Sequence, residues 1–226
     1  MRKPRKLLTA EAILRQTARA YAGCRAYEDA GVVRVVFIHP DSRRIVKRPF
    51  RTAFIRPHRF RYEFRKGKWD AGKDRYIVWS DGKTIKTWWD TEGRNETLKS
   101  LRMAIASATG VSGGSAHVVA SLLLPKKIGW GPITNLKHPT RIRDGRVNGV
   151  QCFRVQGEVG DVPTQVWLDK ATFLIRKILP CYEFKNFRTE HSIIFFPKMG
   201  TKIRDDLLQF NPPTANYANH AKKEAD

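Results

Sequence analysis

The apolar positions of this chain change period several times, and each change marks an element. From Thr9 to Ala22 they recur at helical spacing, with Ile13, Leu14, Thr17, Ala18 and Tyr21 on one face. Thr9 is placed to cap that helix, Glu11 lies in its first turn where negative charge suits the helix dipole, and Gly23 ends it. Beyond Gly23 the period drops to two. Val33, Val35 and Phe37 alternate with Val32, Arg34 and Val36, and Pro40, Asp41 and Ser42 form a turn. Phe50, Thr52 and Phe54 then alternate with Arg51 and Ala53. Phe60, Tyr62 and Phe64 alternate with Arg59, Arg61, Glu63 and Arg65, the cleanest two-faced pattern in the chain. Tyr76 to Trp79 and Thr84 to Trp89 form a hairpin about Asp81-Gly82, a pair suited to the positive φ of a tight turn.

The period returns to helical from Thr97 to Thr109, with Leu98, Leu101, Met103, Ile105 and Ala108 as its apolar members. Gly110, Gly113 and Gly114 are expected to break this helix. Ser115 to Leu124 reads as a second short helix stopped by Pro125, and a Gly- and Pro-rich loop runs on to Pro132. Strands resume near Arg141 and over Val150–Val155, Gln165–Leu168, Phe173–Leu179 and Ser192–Phe196, separated by turns at Asp144-Gly145, Asn148-Gly149 and Gly160-Asp161. The order is one helix, about five strands, two helices and about five more strands. That order predicts an α+β protein: a strongly curved antiparallel sheet forming a half-open β-barrel, with an N-terminal helix and two central helices over the concave face. Residues 1–8 read as a basic extension, 9–213 as one domain and 214–226 as a disordered polar tail.

Charge changes the picture. The chain has 226 residues, 43 Lys and Arg against 21 Asp and Glu, and a net charge of +22. Such a surface attracts anionic lipid, anionic polymers or acidic proteins. The apolar runs are short, the best being Val35–Ile38, Ala120–Leu124 and Ile193–Phe196, far below the roughly 20 residues a spanning helix needs. Arg2, Lys3, Arg5 and Lys6 look like the start of an export signal, but Glu11, Arg15, Gln16 and Arg19 break up the stretch where its apolar core would lie, so none is recognised in the chain as given.

Several hairpins carry a family resemblance. The segments 50–54 and 57–64, then 76–83, then Val166-Trp167-Leu168-Asp169 with Thr172-Phe173-Leu174-Ile175-Arg176, and finally Phe210 with Pro212-Pro213 as a terminal strand, occur in the order of the LolA/LolB-like superfamily of periplasmic lipoprotein carriers. The chain resembles the envelope branches of that superfamily over roughly residues 10–213. The resemblance implies a non-enzymatic carrier in the periplasm or cell envelope, an incomplete barrel with a helical lid, and an apolar cavity for a lipid, a lipoprotein acyl chain or a similar amphiphile. A cytoplasmic location stays open, because no export signal is visible. No cofactor is implied, and a monomer is expected. Phe54, Phe60, Tyr62, Phe64, Trp79, Trp88 and Trp167, with Val119, Leu122 and Leu123 from the middle helix, are the candidate cavity lining. The same side chains would equally fill a solid core.

Two other chemistries have sequence support. Residues 43–66 hold ten Lys/Arg and one acid, Glu63. Arg43, Arg44, Lys47, Arg48, Arg51, Arg59, Arg61 and Arg65 are the candidate contacts to an anionic membrane surface, or to an anionic polymer such as nucleic acid. A nucleic-acid sheet shows rings and cations on one side, whereas strict alternation here separates them and argues for a barrel wall. Gly110-Val111-Ser112-Gly113-Gly114 matches the nucleophile elbow of serine hydrolases, with Asp169 and His191 downstream, but its preceding segment reads as a helix where the elbow needs a strand. The six histidines lack metal-pair spacing. Cys24, Cys152 and Cys181 are far apart in sequence, and buried thiols fit them better than a disulfide.

Overall fold

A computed structural model describes residues 7–66, 75–183, 188–200 and 202–212. Most of the expected basic extension (residues 1–6) and the whole expected tail (214–226) lie outside the described residues. The chain opens with α1 (Ala10–Ala22), where Thr9 Oγ1 accepts from the Ala12 N–H at 3.2 Å. Six strands come after it: β1 (Ala26–His39), β2 (Ser42–Ile55), β3 (Arg59–Arg65), β4 (Arg75–Ser80), β5 (Ile85–Trp89) and β6 (Arg94–Thr97). Three helices come next: α2 (Leu101–Ser112), α3 (Ser115–Leu123) and the short α4 (Pro125–Ile128). The remaining strands are β7 (Lys137–Val147), β8 (Val150–Val159), β9 (Val162–Asp169), β10 (Ile175–Glu183), β11 (Arg188–Phe195) and β12 (Lys198–Met199).

Among the described residues these strands make one antiparallel sheet in the order β6-β5-β4-β3-β2-β1-β11-β10-β9-β8-β7, with β12 paired to β1. Each half is a meander. The halves join where β1 meets β11, in register from Gly31↔Phe195 to Ile38↔Arg188. β6 and β7 are the two free ends of the path, so the barrel is half-open as the sequence predicts. The helices connecting those ends lie over the concave face.

Alternation sets which side chains enter that face. Phe50 and Phe54 on β2, Phe60, Tyr62 and Phe64 on β3, and Tyr76 and Val78 on β4 form one buried cluster with Ile13, Leu14 and Tyr21 of α1, Ile105 of α2 and Val119 and Leu123 of α3. Each such large side chain contributes about 1.5–3 kcal/mol by leaving water. Polar contacts fix the helices on it. Tyr62 Oη and Ser115 Oγ are 2.7 Å apart, and Tyr21 Oη accepts from the Ile175 N–H at 3.2 Å. Arg56 donates to the carbonyls of Cys24 (2.8 Å), Tyr21 (3.2 Å) and Leu123 (3.4 Å), so one guanidinium holds the C-terminal ends of α1 and α3.

Three departures from the periodicity have local causes. β6 occupies Arg94–Thr97, so the helix begins only after Ser100, whose Oγ accepts from the Met103 N–H. α2 runs through Gly110, where a side chain would meet nothing within 4 Å, and ends at Gly113 in the left-handed region (φ 64°). Asp144-Gly145 is not a turn. It lies inside β7 at a register shift, and Asp144 is held by Arg141 and Lys170. Pro49 fits β2 because β3 pairs only from Phe50 onward, so the missing N–H falls where β2 has one neighbour.

Gly31 is required by a close approach. A β-carbon there would lie 2.3 Å from Phe50 Cζ and 2.5 Å from the Ile194 carbonyl oxygen. Backbone on one side and a fully buried ring on the other leave little room to relax. Gly31→Ala is expected to cost about 1–3 kcal/mol, read as a lower urea midpoint; an unchanged midpoint would show that the β1–β11 seam gives way freely.

Candidate functional site

Between the α2–α3 junction and the C-terminal half of the sheet lies a cleft of about 180 Å³. One wall is Thr109, Gly113, Gly114, His117 and Val118. The other comes from β9, β10 and β11, with Val162, Thr164, Ile178, Pro180, Tyr182, His191 and Ile193. Alternation explains the second wall: its residues share parity with core neighbours such as Val166 or Phe195, and while Ile178 and Ile193 belong to the core cluster themselves, Val162 and Tyr182 lie further along their strands, toward the open rim. Val159 and Tyr182 at its rim are 43% and 38% exposed.

The junction itself is two consecutive left-handed glycines, Gly113 (φ 64°) and Gly114 (φ 88°). Only glycine enters that region freely, so the pair permits the tight reversal between α2 and α3. A β-carbon on Gly113 would be 3.1 Å from Val33 Cγ1, 3.4 Å from His191 Nε2 and 3.8 Å from Arg48 Nη1. His191 and His117 are pushed below the ordinary histidine pKa by burial; at His191 the Arg48 charge adds to the effect and the Gly113 backbone offsets part of it. The His117 ring packs on Trp130 and the His191 ring on Tyr182.

None of the ten proposed lining residues borders this cleft. Phe54, Phe60, Tyr62 and Phe64 are wholly buried beneath the helices, and Val119, Leu122 and Leu123 pack with them. Trp79, Trp88 and Trp167 sit at positions that face the convex side. Trp79 Nε1 donates to the Leu208 carbonyl (2.7 Å), Trp88 Nε1 donates to Asp90, and Trp167 packs with Val147 and Cys152 under Arg154 and Lys177.

The basic residues do not share one face. Arg43, Arg44 and Lys47 are exposed on the outer part of the β1–β2 hairpin, with Arg43 near Glu190 at 3.9 Å. Arg48 has the parity of Phe50 and turns toward the cleft. Arg51 and Arg59 are exposed on the convex side. Arg61 and Arg65 surround the buried Glu63, together with Arg75. They are covered by the segment Ile203–Pro212, which includes a 3₁₀ turn (Asp205–Leu208) and crosses the outer face of β2–β5 instead of extending the sheet as a terminal strand. Asn211 accepts from Arg61 (3.0 Å, side chain) and Arg75 (2.8 Å, backbone), and Phe210 packs on Trp79. Arg51 and Arg61, with Lys198, Lys202 and Arg204, also line a second, convex cavity of about 490 Å³.

Ser112 is fully buried in the last turn of α2, with its Oγ accepting from the Ala116 N–H at 3.3 Å. No strand precedes it, so the elbow geometry is absent. Asp169 is engaged elsewhere: it accepts from the Ala171 and Thr172 N–H groups and from Arg176 (2.7 Å), which pins the β9–β10 hairpin. The three cysteines are free, Cys24 and Cys152 buried and Cys181 exposed. Among the described residues no group of His, Cys, Asp or Glu could hold a metal, and no helix is long and apolar enough to cross a membrane.

Neither a family model nor a curated protein sequence matches the chain. Solved structures do. LprF from Mycobacterium bovis is 10% identical, with a TM-score of 0.46 over 86% of this chain and 94% of that one. The MucA/MucB complex of Pseudomonas aeruginosa is 17% identical, with a TM-score of 0.44; the match covers 89% of this chain and 61% of that one. A LolA superfamily protein from Nitrosomonas europaea is 10% identical, with a TM-score of 0.35 over 90% of this chain and 98% of that one.

Proposed function

We propose that this protein is a non-enzymatic binding protein that seats the apolar part of a lipid, lipidated peptide or similar amphiphile in the cleft beside Gly113-Gly114. The observation that carries the reading is that cleft: an apolar-walled opening next to a two-glycine helix junction, with Val159 and Tyr182 exposed at its rim. At about 180 Å³ it is smaller than the roughly 300–1,000 Å³ of pockets that hold whole ligands. It therefore accepts the first part of an alkyl chain, and more enters when the α2–α3 junction swings away from β9–β11. Each methylene buried adds about 0.8 kcal/mol. The hairpin motifs imply an envelope setting for this activity.

Val162 is half-buried on the cleft wall, so a larger side chain there plugs the opening without entering the core. The neutral dye N-phenyl-1-naphthylamine is expected to fluoresce with the wild-type protein in high salt and to lose at least tenfold in affinity with Val162→Trp. Salt at 0.5 M removes surface electrostatics, because the screening length falls to a few ångströms. No dye binding by the wild type, or equal binding by the variant, would overturn the reading.

A further inference from the structure

Three nitrogens around this cleft are buried and make no hydrogen bond of normal geometry, Arg48 Nε, His117 Nε2 and His191 Nε2, and the polar group that the His191 ring meets is the Gly113 backbone. Buried polar atoms are almost always satisfied, and leaving one unpaired is costly. Finding three around an opening of about 180 Å³ marks the place where something polar is missing. The absent side chain of Gly113 leaves the space between two of them, since His191 Nε2 and Arg48 Nη1 lie 3.4 and 3.8 Å from where its β-carbon would be. Among the described residues no carboxylate lies within ion-pair distance of Arg48, although β2 and β11 bring Glu190 to Arg43 nearby. A guanidinium beside the His191 edge, with His117 facing the same opening from the helix side, is complementary to an acceptor group with negative charge.

Resting on the reading of the cleft given above, we infer that its ligand is an anionic amphiphile, whose carboxylate or phosphate monoester is held by Arg48 and His191 at the Gly113 gap while its alkyl chain runs between Val118 and Ile193. Arg48 supplies the charge and a forked pair of donors. His191 supplies one N–H from β11, which β1 separates from β2. His117, on the first turns of α3, faces the same opening from the helix side. The order of elements makes this a closing device as well: a headgroup bound at the gap touches β2, β11 and the helix junction together, so its departure and the opening of the junction are coupled.

Displacement of N-phenyl-1-naphthylamine by laurate, dodecyl phosphate and dodecanol, each below its micelle concentration, tests the inference. The two anions are expected to displace the dye at concentrations at least tenfold below dodecanol, and the better of them identifies the headgroup. Arg48→Gln, on the half-exposed outer part of β2, is expected to raise the anion concentrations to the dodecanol level and leave dodecanol unchanged; His191→Leu should do the same in part, with unaltered circular dichroism as the check on folding. Equal displacement by anions and alcohol in the wild type, with the dye still bound, would overturn this inference and leave the cleft reading standing. Failure of the dye and all three ligands to bind would remove both.

Discussion

Asp29→Asn is expected to stabilise the protein at pH 8 by about 2–3 kcal/mol and to leave it nearly unchanged at pH 4. Asp29 lies on the concave side of β1 and is 2% exposed. Burial raises its pKa from 3.8 to about 6, with the Tyr27 hydroxyl at 2.7 Å and Thr52 offsetting part of that rise. The folded state therefore keeps its proton to a higher pH than the unfolded chain does. The stability this contributes is fully present below about pH 4 and is lost as pH rises through about 6. Above that, the folded state carries a buried carboxylate beside hydroxyls, with no cation within ion-pair distance among the described residues. Asparagine keeps an acceptor for Tyr27 and has no charge to bury. Urea unfolding of both proteins at the two pH values reads the effect as a difference, which cancels the repulsion of the +22 surface. A variant less stable than wild type at pH 8 would show that the ionised form is the one the fold prefers.

The same exchange of acid for amide at Glu63 is expected to have the opposite sign. Glu63→Gln should lose about 3–5 kcal/mol at pH 7, because it leaves buried charges without their partner. Glu63 is 2% exposed on the convex side of β3, with Arg61 against it, Arg65 at 3.0 Å and Arg75 at 3.8 Å. Arg61, Arg65 and Arg75 are themselves largely buried, and burial already lowers the Arg75 pKa. Without the carboxylate, three guanidiniums face one another under Ile203–Pro212, and that segment is expected to detach first. Protease cleavage after residue 202, faster in Glu63→Gln than in wild type, would accompany the drop in urea midpoint. Unchanged stability would mean that water reaches the cluster readily.

The two outcomes differ because the strands place the acids on opposite faces, and that placement was only half legible in the residues. Alternation at Phe60, Tyr62 and Phe64 puts the rings inward and Arg61, Glu63 and Arg65 outward, and the structure agrees. Nothing in a period-two pattern says what lies over the outer face. That is decided by Asn211 and Phe210, about 150 residues away, and it turns an apparent basic exterior into a buried charge cluster. Trp79, Trp88 and Trp167 go the same way: their bulk marks them as interior, but parity sends them to the convex side, where Trp79 and Trp167 are covered by the C-terminal segment or by cationic side chains.

Local chemistry determined the elements. Thr9 and Gly23 bound α1, Asp81 accepts from the Lys83 and Thr84 N–H groups at its hairpin, and Asn148-Gly149 turn with positive φ at both residues, because each of these depends on atoms a few residues apart. The curved antiparallel sheet and its helical cover are set by the order of such elements. The cleft is not. Arg48, Gly113, His117 and His191 come from β2, the α2–α3 junction and β11, and their meeting depends on the β1–β11 seam that joins the two halves of the sheet. The sequence alone determined a half-open barrel with rings on its inner face. The tertiary structure decided which of them became core, where the covering helices stop short, and which polar atoms were left facing the opening, because burial and hydrogen-bond satisfaction depend on neighbours distant in the chain.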